Sequence, residues 1–226
     1  MSLAAATWME IAAERDRIVA VPIGSCEQHG PHLPLATDTI VASALAGALG
    51  ARRQRVIVAP AITIGASGEH AGFPGTLSIG TDVLALVLLE LVRSADWAAG
   101  VVLVNGHGGN AEALQRAVTV AAAESRRALA WWPSPPADLR ADAHAGWTET
   151  SVLAHLAPEC VRAGRAVAGD TRPLGITLPE MRRQGVHQVS PNGVLGDPTG
   201  ADATAGAEIF AGWVTELVAG FDNWVA

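Results

Sequence analysis

Four short apolar runs, three of them rich in β-branched residues, restrict the folds open to this chain more than any other feature. They are Arg17 to Ile23 (RIVAVPI), Arg55 to Ala59 (RVIVA), Val101 to Val104 (VVLV) and Ala128 to Trp132 (ALAWW). None alternates polar with apolar residues, as a strand with one wet face does; strands apolar throughout are buried on both sides. Between them lie stretches with helical periodicity, Thr37 to Leu49, Thr81 to Ala95 and Asn110 to Ser125. Strands alternating with helices predict an α/β fold, here one three-layer α/β/α domain with a mostly parallel central sheet. Sheets of this kind bind ligands beyond the carboxyl ends of their strands.

The second half reads more loosely. Pro133 to Pro136 (PSPP) breaks the chain, Trp147 to Leu156 reads as a helix, Gly185 to Thr199 as a loop, and roughly Ala203 to Val218 as a last helix. No repeat or linker divides the sequence, so residues 1–226 are taken as a single domain. Glu10, Glu14 and Asp16 stand where a signal peptide would carry apolar residues, and the run Val83 to Leu89 is too short to span a bilayer. A cytoplasmic protein is expected, with Cys26 and Cys160 reduced.

Composition removes several chemistries. The 15 basic residues are all Arg, so Schiff-base catalysis, a P-loop lysine and a Ser–Lys dyad are excluded. Tyr is absent, and a net charge of −7 without a basic run argues against nucleic acid or an anionic membrane as partner. No G-x-S-x-G elbow supports a serine nucleophile. The chemistry falls to His, Asp and Glu, which gather in three clusters.

The first cluster, Glu27-Gln28-His29-Gly30-Pro31-His32, follows the first strand run, with Thr37 and Asp38 a little further on. Residues two apart in an extended segment face the same side, so Glu27 and His29 can converge on one volume. Asp38 opens a helix, with Thr37 before it as a cap, and a carboxylate there can bridge two cations. The second cluster, Asn105-Gly106-His107-Gly108-Gly109-Asn110, follows the third strand run. Its glycines permit close backbone approach and Asn110 suits a helix N-cap, but the G-x-G-x-x-G spacing of a phosphate loop is missing. In the third, Glu149 lies in the first turn of a helix after His144, as a capping partner, a metal ligand or a general base. Glu69 and His70 lie on a glycine-rich stretch suited to the lip of a substrate site. Two His, two Glu and one Asp suffice for two divalent ions sharing a carboxylate, and mixed N/O donors suit Zn, Fe(II) or Mn alike.

These motifs carry a family resemblance. Gly24 to Pro34 (GSCEQHGPHLP) with Thr37-Asp38-Thr39, Phe73 to Thr76 (FPGT), Asn105 to Asn110 (NGHGGN), His144 to Ser151 (HAGWTETS) and Gly193 to Thr199 (GVLGDPT) resemble the creatininase family in identity and order. The resemblance implies an α/β amidohydrolase with two divalent metal ions per subunit, assembled as a homo-oligomer, hexameric in the family. Glu27, His29, Asp38 and His107 match its metal-ligand positions, with Asp38 as the bridge. Creatininase carries a glutamate ligand two residues beyond the motif histidine, where this chain has Gly109, as formamide hydrolases of the family do. That departure argues against creatinine as substrate and points to Glu149 as the missing ligand or base.

Softer stretches, among them Pro60 to His70, Thr148 to Pro158 and Leu178 to Arg183, look most like the mycofactocin-system branch. This likeness implies a peptidase that cleaves a modified precursor peptide near its C-terminus and releases a modified Val–Tyr dipeptide. His144 is then the expected proton donor, and Ser67, Glu69, His70, Gly108 and Trp147 the expected substrate-binding residues. The alternatives are hydrolysis of a small cyclic amide or formamide and, from another class, a non-catalytic peptide-binding maturation partner.

Overall fold

All four apolar runs form strands in the computed structural model, which describes residues 1–14, 16–135 and 142–226. The strands are β1 (Ile18–Ile23), β2 (Val56–Val58), β3 (Gly100–Asn105) and β4 (Ala128–Trp131). The helices are α1 (Trp8–Ala12), α2 (Thr37–Arg52), α3 (Thr81–Ser94), α4 (Ala111–Ala123), α5 (Trp147–Leu156), α6 (Leu174–Gln184), α7 (Val186–Val189) and α8 (Ala203–Val225). The sheet order is β2-β1-β3-β4 and every pairing is parallel. From β1 the chain moves outward to β2, then returns to place β3 on the other side of β1. The β1–β3 boundary is therefore the point where strand order reverses, which opens a crevice at the carboxyl ends.

Successive strand residues face opposite sides, and here both sides are dry. Val19, Val21, Val101 and Leu103 pack against Leu84 and Leu88 of α3 and Leu114 of α4. Ile18, Ala20, Val102 and Val104 pack instead against Leu45 and Leu49 of α2 and Leu217 and Phe221 of α8. This two-sided burial is why none of the strands alternates.

The C-terminal part departs from expectation. Helix α6 was not foreseen, because Pro179 lies inside it and proline ordinarily ends a helix. It forms nonetheless, and Leu178 and Met181 join a small cluster with Val186, Leu195 and Phe73. The expected loop from Gly185 to Thr199 contains α7. Helix α8 runs past Val218 to Val225, since buried Phe221 extends its apolar face. The proline break falls between β4 and α5, with Pro136 outside the described residues. Among the described residues no helix is long and apolar enough to cross a membrane.

Leu103 is fully buried at the centre of the sheet. Leu103→Ala is expected to cost about 2–5 kcal/mol, read as a fall in the urea midpoint, whereas Val83→Ala on the exposed side of α3 should stay within about 0.5 kcal/mol.

Candidate metal centre

Ile23 of β1 pairs with Asn105 of β3, so the segments leaving the two strands begin side by side. Beyond β1 the backbone stays extended, held by a bridge from Cys26 to Leu77 and by the Gln28 amide, which donates to Thr76 Oγ1 at 3.2 Å. Glu27 and His29 thus project to one side, towards His107. Asp38 enters from the first turn of α2, where its charge faces the positive end of the helix. Thr37 is not the cap expected of it: it is the first helical residue, and its hydroxyl donates to Pro34 O at 2.7 Å. Asn110 likewise does not cap α4. Its side chain accepts from Ala66 N–H and donates to Gly24 O and Asn105 Oδ1, tying three loops together behind the site.

The donor atoms converge. His29 Nε2 lies 3.1 Å from Asp38 Oδ1, His107 Nδ1 3.3 Å from Asp38 Oδ2, and His107 Nε2 3.1 Å from Glu27 Oε2. Glu149, on α5, reaches within 3.9 Å of His29 Nε2. Three sets place their donor atoms within 4.8 Å of one another: Glu27–Asp38–His107, His29–Asp38–Glu149, and Glu27–His29–His144. Asp38 is common to the first two sets, as a bridging carboxylate must be, and Glu27 is likewise common to the first and third. Ser25 Oγ donates to Asp38 Oδ2 at 2.6 Å and fixes its orientation, a supporting role that the sequence motifs did not disclose.

Electrostatics point to a cation at this place. Glu27 is 0% exposed, yet neither of its oxygens accepts a hydrogen bond from any described residue. Burial pushes its carboxyl up to about 7, against the pull of His107. Burial likewise raises Glu149 to about 7, although His29 opposes the shift. Burial works against charging His29 and His107, but the Asp38 carboxylate lifts His29 to about 9, and the Glu27 and Asp38 carboxylates lift His107 to about 10. Asp38 is held well below the usual carboxylate range despite burial, by His29 and His107. Protons on this cluster thus occupy the place of positive charge. Orphaned carboxylate oxygens among imidazole nitrogens form a donor set that a divalent cation satisfies.

The second ring of residues is partly as expected. Glu69 and His70 lie on the turn Gly68–His70, with Glu69 Oε1 3.6 Å from His107 Nε2 and His70 Nε2 3.4 Å from Glu27 Oε1. With Gly108, His144 and Glu149 they line a cavity of about 670 Å³ above Asp38 and His107. Ser67 and Trp147 do not line it. Ser67 is fully buried, and the Trp147 indole N–H is turned away, donating to Gly200 O at 3.0 Å. Gln28 emerges as a hub that the spacing argument passed over, because it lies between two ligand candidates on an extended segment. Its side-chain amide lies 2.9 Å from both Gly193 O and His70 Nδ1, and its carbonyl O 2.8 Å from His144 Nε2. His144 Nε2 also lies 3.1 Å from Gln28 Nε2, so Gln28 meets this nitrogen with both an acceptor and a donor, while Nδ1 faces Glu27 Oε1 at 3.8 Å. Burial and nearby His29 and His70 hold the His144 imidazole neutral.

Two backbone positions shape the site. At Gly109 a Cβ would fall 2.5 Å from Glu69 Oε1 and 2.6 Å from Ala66 O, so no side chain fits. The backbone before α5 is held by Asp142, whose Oδ2 accepts from Thr148 N–H at 2.5 Å. There Ala145, with φ 51°, occupies the left-handed region that a non-glycine residue seldom adopts, and its N–H donates to Glu149 Oε2 at 2.6 Å. The strain is the means by which Glu149 is aimed at His29.

Zn²⁺ or Mn²⁺ at one hundred times its dissociation constant is expected to stabilise the fold by about 2.7 kcal/mol, read as a rise in unfolding temperature. Asp38→Ala should abolish the rise, and Val83→Ala should leave it intact.

Comparison with known proteins identifies the family. A family model described as creatininase, creatinine amidohydrolase, matches residues 4–221. The mycofactocin precursor peptide peptidase of Mycolicibacterium smegmatis is 52% identical over 213 residues, covering 92% of this chain and 85% of that protein. A crystal structure of creatinine amidohydrolase superposes with a TM-score of 0.79 at 23% identity, covering 96% of this chain and 95% of that one. A manganese form of creatininase gives 0.76 at 23% identity, with the same coverage. With the family model spanning nearly the whole chain and about half the residues shared with a relative over most of its length, the chain belongs to the creatininase family.

Proposed function

We propose that this protein is a peptidase dependent on two divalent metal ions, which cleaves the modified mycofactocin precursor peptide near its C-terminus and releases the modified Val–Tyr dipeptide. The observation that carries the reading is the sharing of Asp38 between two three-donor sets at the base of one cavity, beside the orphaned carboxylate of Glu27. The substrate comes from the relative named a mycofactocin precursor peptide peptidase. In the proposal Glu27, Asp38 and His107 hold one ion, and His29, Asp38 and Glu149 the other, with Zn, Fe(II) or Mn as candidates. Ions held there supply an activated water and polarise the scissile carbonyl.

The remaining steps belong to side chains and backbone. His144, held at Nε2 by Gln28, is the proton donor to the leaving amine. Backbone amides around Gly108 and the turn Gly68–His70 border the cavity and are the candidate donors to the developing oxyanion. Glu69 and His70 contact substrate from the lip, whereas Ser67 acts from behind Glu27. Trp147, away from the cavity, is assigned to the edge where copies of the chain meet in a cytoplasmic homo-oligomer, a hexamer as in the family.

Mass spectrometry of the modified precursor peptide tests the proposal. Metal-loaded protein should remove a C-terminal dipeptide and chelator-treated protein should not; an intact peptide with metals confirmed would redirect the search to formamides and cyclic amides. His144→Ala should lower kcat by about 10²–10⁴-fold while retaining its metals.

A further inference from the structure

The cavity above the metal centre has an unusual wall. Helix α6 turns Leu174, Leu178, Met181 and Arg182 towards it, at spacings of four, seven and eight residues, which fall on one helical face. Arg183 lines it as well. Apart from histidines, these two arginines are the cavity's basic side chains among the described residues. The wall is therefore apolar along most of its length and basic at its end.

Both arginines are exposed, and neither has a hydrogen-bond or ion-pair partner among the described residues. Elsewhere some arginines are ion-paired, as Arg172, just before the same helix, is with Asp170 and Glu180 and Arg126 with Asp96 and Glu124. Others, such as Arg55 and Arg165, have no such partner among the described residues but stand away from this cavity. Basic residues in the last turn of a helix are ordinary, since they complement its dipole. Lining a substrate-sized cavity with both guanidinium groups left unpaired is not ordinary. A guanidinium presents a planar fork of donors matched to a carboxylate. Elsewhere the rim is acidic, with Glu69 and Glu112, so an anion entering the cavity is attracted to α6 alone outside the metal centre.

We infer that Arg182 and Arg183 form a carboxylate-binding subsite that holds the substrate against the end of α6, with Leu174, Leu178 and Met181 receiving an adjoining apolar side chain. Under the peptidase reading, on which the identity of the ligand rests, the carboxylate is either an acidic side chain of the peptide or its C-terminal group. The two residues thus select an anionic peptide and set its direction across the metal centre.

Equilibrium binding separates these sources and does not depend on turnover. The probe is a short fluorescent peptide ending in Val–Tyr, with acidic residues upstream and an N-methylated scissile amide, titrated into metal-loaded protein. Arg182→Ala with Arg183→Ala should weaken binding about tenfold, as expected for losing exposed guanidinium–carboxylate contacts. A peptide with its acidic side chains converted to amides, or one with a C-terminal carboxamide, should bind the wild type as weakly as the parent binds the variant; whichever does so identifies the carboxylate. Retention of the metal-induced rise in unfolding temperature shows that the variant is folded. Equal affinity of wild type and variant for the parent peptide, no peptide binding to the wild type, or an equal loss for all three peptides would overturn the subsite. Failure to cleave the unmethylated peptide, with arginine-dependent binding intact, would overturn the peptidase reading and leave the subsite standing.

Discussion

A fully buried carboxylate is among the costliest arrangements in a protein interior, and Glu27 is held in that state with no well-formed hydrogen bond from the described residues. What holds it is the parallel pairing of β1 with β3, which places Ile23 beside Asn105 and sends both exit segments into one crevice. Once that register is set, Glu27, His29 and His107 have nowhere else to point. Asp38 is then drawn between two imidazoles by their charge, and the cluster requires positive charge to be stable. The fold thus supplies an electrostatic demand that divalent metal can meet.

The residues around this demand divide between fixing donors and shaping space. Ser25 orients Asp38, Gln28 links His70 and His144, and the Ala145 amide aims Glu149. Gly109 stays bare because Glu69 and His107 already fill the volume around its Cα. The carboxylate that creatininase carries at this position, by the resemblance drawn from sequence, has no room here. Carboxylates from two other elements, the turn Gly68–His70 and α5, stand near the same imidazoles instead. The cavity above is closed on one side by α6, whose wall passes from leucines to arginines.

Much of this was legible in the residues. The four strands followed from uninterrupted apolar runs, and α3 and α4 from their periodicity, because local pattern and burial agree there. The candidate ligands followed from residue type at strand ends together with the family motifs. Less legible was α6, where an internal proline masks apolar positions that only the packing of Met181 and Leu178 against Leu195 makes decisive. Thr37 and Asn110 carry good capping side chains, yet tertiary partners outcompeted the helix ends for their hydrogen bonds. Ser67 and Trp147 belong to segments that border the site, but no rule of spacing tells which way a loop side chain turns.

The sequence by itself determined the class of fold, the chemistry open to a chain with neither Lys nor Tyr, and the identity of the candidate ligands, because these depend on composition and short-range pattern. Only the tertiary structure decided that Asp38 is common to two donor sets, that Glu27 lies fully buried among imidazole nitrogens, and that two arginines of α6 line the same cavity. Those facts depend on distances between segments remote in the chain, and such distances are set by how the sheet twists and what packs upon it, which no local pattern encodes.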